Sequence, residues 1–182
     1  MYNDAYQIKQ TTGAKEMTKQ ISSHAAAAKM VRQAMKKNGI AGSVRSSSYA
    51  GGNSIKVYVD NLAPWVLSKL TDFVDQFEYG HFDGMTDCYE YSNNRDDIPQ
   101  VKFAFVECSY SDELRQKAYD YLLVNWGGYE DHPALYEEAQ NLRGSHDWVS
   151  TEVYRVLNGS WDSGCSSDCT RFWHKPRIKL AA

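Results

Sequence analysis

The sequence predicts an α+β fold: a small antiparallel sheet with helices packed on one face, followed by a helical C-terminal half. Three observations carry that expectation. Residues 54–60 alternate apolar and polar side chains, as a half-buried strand does. Residues 66–77 carry an apolar stripe at helical spacing. The element order that follows from such patterns is helix, two strands, helix, one or two strands, then helices, which an antiparallel sheet covered on one side accommodates most economically.

The first helix is expected from Ser22 or Ser23, either of which can cap it, through Lys37, with Asn38-Gly39 as its stop. Ala27, Met30, Val31, Ala34 and Met35 fall on its apolar side, and Lys29, Arg32 and Lys36 share another. Strands over 43–49 and 54–60 are joined by Ala50-Gly51-Gly52-Asn53, whose glycines and asparagine tolerate positive φ in a hairpin turn. Ile55, Val57 and Val59 point one way, and Lys56, Tyr58 and Asp60 the other.

Asn61 precedes Leu62-Ala63-Pro64, which suits the first turn of a helix bearing Val66, Leu67, Leu70, Phe73, Val74 and Phe77. Phe82-Asp83-Gly84-Met85 is a turn, residues 87–91 a short extended piece, and 93–99 a polar loop. A third strand spans 101–108, with Val101, Phe103 and Phe105 expected on one face. A helix starts near Ser111, runs through Leu114, Ala118, Tyr121, Leu122 and Leu123, and ends at Gly127-Gly128. Pro133 opens another, ending near Gly144, and Ser145 caps a last one that carries Val149, Val153, Val156 and Leu157 before Gly159.

With 182 residues, 42% of them hydrophobic, the chain can bury a core without disulfide staples. The expected organisation is an N-terminal arm over 1–21, one α+β domain over 22–159, an irregular segment over 160–178 and a cloning-vector tail over 179–182. No apolar run is long enough for a membrane-spanning helix, and the polar first 19 residues do not resemble a secretory signal, so a cytoplasmic protein is expected. The net charge of -3 hides an asymmetry: residues 1–48 carry +6, residues 49–145 carry -10 and residues 146–182 carry +1. A basic front admits a polyanion and an acidic body admits a basic protein surface, although the signs can also neutralise each other within one globule.

The helix carrying Lys29 and Arg32, the strand opening Gly42-Ser43-Val44-Arg45, the segment from Ser46 through the glycines to Ser54, the strand Ile55-Lys56-Val57-Tyr58-Val59 and the stretch Phe82-Asp83-Gly84-Met85-Thr86-Asp87-Cys88-Tyr89-Glu90-Tyr91 together resemble the large polyvalent protein-associated domains of phages and conjugative plasmids. The resemblance implies an α+β accessory domain of mobile elements. Because some relatives travel with counter-defence functions, it also implies an anti-restriction or anti-CRISPR role exerted by binding a host protein or nucleoprotein complex. Fold resemblance alone does not fix function.

Candidate sites follow from residue chemistry. Ser47, Ser48, Gly51 and Gly52 have hydroxyls and amides that can converge on an anion, though turn geometry alone accounts for the glycines. Arg45, Lys56 and Tyr58 can join Lys29, Arg32 and Lys36 as a nucleic-acid surface, the cations meeting phosphates and the ring a base. A solvated face explains the same residues. Asp83, Asp87 and Glu90 form an acidic cluster and, with Trp126 and Trp148, a candidate partner interface. Cys165, Cys169 and His174 have zinc-ligand donors, which Cys88 or Cys108 would complete, but no second closely spaced cysteine pair occurs. No P-loop, nucleophile elbow or nuclease carboxylate pattern is present. A non-catalytic protein without a cofactor is expected.

Overall fold

The structure, a computed structural model, describes residues 21–125, 132–141, 146–159 and 172–173. The expected arm over 1–20, the glycine stop at 127–128, Gly144, Ser145 and almost all of the C-terminal segment and tail lie outside these residues.

The chain begins with α1 (Ser23–Lys37), which ends at Gly39 in the left-handed region, φ 67°. The hairpin follows as β1 (Gly42–Tyr49) and β2 (Gly52–Asp60), antiparallel with Arg45 opposite Lys56. Tyr49 already pairs with Gly52, so the turn is tighter than the four residues expected. Gly52 has a φ of 145°, and a Cβ there would stand 2.7 Å from Lys102 Cδ, which requires glycine twice over. Next, α2 (Pro64–Asp75) opens on proline. A two-stranded ribbon, β3 (His81–Asp83) with β4 (Cys88–Glu90), leads to β5 (Phe103–Ser109).

The α+β class and the placement of helices on one face match the sequence expectation, with one difference: the three-stranded sheet, ordered β1-β2-β5, is mixed. The hairpin pair is antiparallel, but β5 lies parallel to β2 with Lys56 beside Phe105. The cause is the connection. Helix α2 carries the chain back across the sheet, so β5 starts from the same end as β2. Asn61 then ties the far ends together, its N–H donating to Ser109 O at 2.8 Å and its Oδ1 accepting from Ser111 N–H at 2.8 Å.

Helices α1 and α2 cover the inner face. Ala27, Ala28, Val31 and Met35 of α1, together with Val66, Leu70 and Val74 of α2 and Phe77 just beyond it, close over Val44, Ile55, Val57, Val59 and Ala104. The expected α1 stripe is shifted slightly, with Ala28 buried and Met30 exposed. Side-chain parity in β5 is also reversed. Val101 is buried, as expected, but Ala104 is the next residue on the core side, while Phe103 and Phe105 turn to the outer face. The chain bends at Lys102, whose N–H is diverted to Asn53 Oδ1 at 2.8 Å, and that irregular residue resets the alternation.

Each sheet edge receives a charged side chain. Arg32 donates to Val44 O at 2.7 Å on β1, and Glu78 Oε2 accepts from Ala104 N–H at 3.0 Å on β5.

The helical half comprises α3 (Asp112–Asn125), α4 (Tyr136–Gln140) and α5 (His146–Asn158). It forms a second core of Tyr119, Leu122, Tyr136, Val149, Val153 and Leu157. Cys108 and Trp173 touch both cores, and Trp173 Nε1 donates to Leu157 O at 3.1 Å. No described helix is long and apolar enough to cross a membrane.

Leu70 is 1% exposed between α2 and the sheet. Leu70→Ala is expected to lower the unfolding free energy by about 2–5 kcal/mol, read by urea denaturation, because the cavity adds to the lost transfer energy.

Candidate nucleic-acid interface

Strand alternation and the bend at Lys102 determine which side chains face away from the helices. Across β1, β2 and β5, the outer rows are Ser47, Ser54 and Phe103, then Arg45, Lys56 and Phe105, then Ser43, Tyr58 and Glu107. Three cations lie over rings on this surface. Arg45 Cζ is 5.5 Å from the Tyr58 centroid, and Lys56 Nζ is 5.5 Å from that of Phe105. Lys102 Nζ lies 5.1 Å from the centroid of Tyr89 and 5.5 Å from that of Phe103. Such contacts hold a cation in place at an exposed site while leaving it wet enough to meet a phosphate.

Lys102 is the most constrained of the three. Its ammonium also donates to Gly51 O at 3.0 Å, so the hairpin turn and the start of β5 fix its position. Glu107 approaches Lys56 at 4.0 Å; both are exposed, and the pair is weak.

The rings continue from the sheet onto the ribbon. Phe103 and Phe105 lie nearly parallel with centroids 6.1 Å apart, and Tyr89 meets Phe103 edge-on at 5.8 Å. Tyr89 also contacts Tyr91 at 5.3 Å, and Tyr91 stacks on Tyr79 at 5.5 Å. Tyr89 is the keystone: its hydroxyl donates to Lys102 O at 2.7 Å, and burial, followed by the nearby Glu78 carboxylate, pushes its pKa up to about 12. Phe105 and Tyr91 remain 44% and 66% exposed.

Arg45, Lys56 and Tyr58 therefore share one face, as the sequence suggested. Lys29, Arg32 and Lys36 do not join them. Helix α1 packs on the opposite side of the sheet, where Lys29 and Lys36 face solvent and Arg32 is bonded to Val44 O. The Ser/Gly turn does not form an anion cradle either. Ser47 Oγ is bonded to Ser54 Oγ at 2.9 Å, Ser48 lies on the other face, and Gly51 and Gly52 receive Lys102.

The acidic cluster sits on the ribbon without converging. Asp83 serves the turn, Asp87 holds a φ of 54°, and Glu90 approaches His81 at 3.5 Å. Cys88 is exposed and Cys108 half-buried, and among the described residues no group of three His, Cys, Asp or Glu could hold a metal ion. Trp126, the Trp148 side chain, Cys165, Cys169 and His174 lie outside the described residues.

Sequence reasoning missed Lys102, Phe103, Phe105, Tyr89 and Tyr91 as surface residues. Phe103-x-Phe105 did signal two rings on one face, but apolar character assigned that face to the core.

Fold and surface together define an α+β module with an open, aromatic and cationic sheet face. Residues 22–121 match the family model of large polyvalent protein associated domain 29, and the chain belongs to that family. It is thus a phage- or mobile-element-associated protein, as the resemblance implied. The match takes in the sheet, the ribbon and most of α3, and leaves α4 and α5 outside. No curated protein and no solved structure matches the chain.

The Asp83 carboxyl lies below the ordinary aspartate range because the Met85 N–H and then the Thr86 hydroxyl donate to it, each at 2.8 Å. A depressed folded-state value means that the turn's support persists above the unfolded pKa and is lost as pH falls through the folded one. The Met85 amide resonance is therefore expected to move only below the pH range in which an ordinary aspartate titrates, with that transition absent in Asp83→Ala.

Proposed function

We propose that this domain is a non-catalytic nucleic-acid-binding module, working in the host cytoplasm, whose contact surface is the open face of the three-stranded sheet. The observation that carries this reading is the set of three cation–ring pairs on one face, Arg45 with Tyr58, Lys56 with Phe105 and Lys102 with Phe103. Cations supply the salt-dependent attraction to phosphate, and rings supply contacts to bases. The basic helix that the sequence offered as part of the same surface lies behind the sheet and takes no part in this reading.

Replacing Arg45 and Lys56 together by alanine is expected to weaken binding of a labelled oligonucleotide about tenfold at low salt and to reduce the slope of log K against log salt by roughly one for each cation removed. Lys29→Ala with Lys36→Ala is expected to leave affinity nearly unchanged. An unaltered affinity in the Arg45/Lys56 variant, measured by fluorescence anisotropy at two salt concentrations, would contradict the reading.

A second reading, inhibition of a host defence complex of the anti-CRISPR or anti-restriction type by protein binding, is favoured by the ribbon. Met85 is 94% and Phe82 55% exposed at or next to its turn, near Asp83 and Asp87, with Glu90 at the other end of the ribbon. Apolar anchors on an acidic ribbon suit a basic protein surface that normally holds nucleic acid. Met85→Asp with Phe82→Asp is then expected to abolish capture of a host nuclease complex and its inhibition, whereas retained inhibition would exclude the ribbon.

A further inference from the structure

We infer that the nucleic acid held on this face is single-stranded, its unpaired bases stacking along the ring path from Phe105 through Phe103 and Tyr89 to Tyr91. This inference rests on the nucleic-acid reading above and narrows it to one kind of ligand.

The path is continuous, with successive ring centroids 5.3–6.1 Å apart as it passes from β5 onto the ribbon. Its exposed ends, Phe105 and Tyr91, are the rings with free surface for a base, and the half-buried Phe103 and Tyr89 between them hold those ends in place. Lys102 stands over the middle of the path and Lys56 over its Phe105 end, so cations are at hand for the phosphates of a strand whose bases meet the rings.

A duplex cannot use this arrangement. Its base faces are stacked on one another, and flat rings on a sheet reach no base edge in either groove. An unpaired strand escapes that obstacle, since every base offers a π-face and the backbone is free to follow the cations.

The test uses the full chain with a labelled oligo-dT and the same strand annealed to oligo-dA, measured by anisotropy at low salt. The single strand is expected to bind at least about tenfold tighter. Phe105→Leu and Tyr91→Leu, which keep much of the apolar bulk and remove the ring, are each expected to weaken it roughly five- to a hundredfold without changing the salt slope. Phe105→Tyr is expected to bind as the parent does, and unchanged thermal melting of the variants confirms that the fold is intact. Equal affinity for single strand and duplex, with neutral ring variants but a sensitive Arg45/Lys56 variant, would overturn this inference and leave the broader reading standing. Absence of binding to either oligonucleotide would overturn both.

Discussion

The parallel pairing of β2 with β5 is the constraint on which the remaining architecture depends. It requires a crossover, and α2 supplies one while covering the inner face with Leu70 and Val74. It also sets Phe105 beside Lys56 and Glu107 beside Tyr58, which composes the outer face. The pairing is locked at one end by Asn53, which accepts from Lys102, and at the other by Asn61, which bridges Ser109 and Ser111. These polar clamps cost little entropy because each joins residues already fixed by the sheet. A small domain thereby gains a rigid platform without covering both of its sides.

Periodicity explains what could be foreseen. The α1, α2 and α5 stripes and the Ile55-Val57-Val59 alternation depend on residues within a turn or two of one another, and each lies close to where its pattern puts it. The orientation of β5 depends instead on Asn53, whose side chain bends the backbone at Lys102 from a distant part of the sequence. No local pattern records that bond, so Phe103 and Phe105 read as core. The expected union of the basic helix with the hairpin failed for a related reason. Amphipathicity says which side of α1 is buried, but not that the sheet face it buries is the one opposite Arg45 and Lys56.

Charge gives a similar lesson at larger scale. Lys56 and Lys102 belong to the strongly acidic middle of the chain and Arg45 to its basic front. Folding gathers all three onto one face and sends Asp83, Asp87 and Glu90 to the ribbon, so regional sums conceal the local field.

The bonds at the two sheet margins bear on how the molecule behaves among copies of itself. Backbone groups at the outer strands of an open sheet offer a template on which a further strand can polymerise. The guanidinium of Arg32 occupies such a group on β1, and the carboxylate of Glu78 occupies one on β5. With those groups already bonded, a further strand finds an occupied partner at each border, so the exposed face can stay open while lateral addition of strands from copy to copy is interrupted.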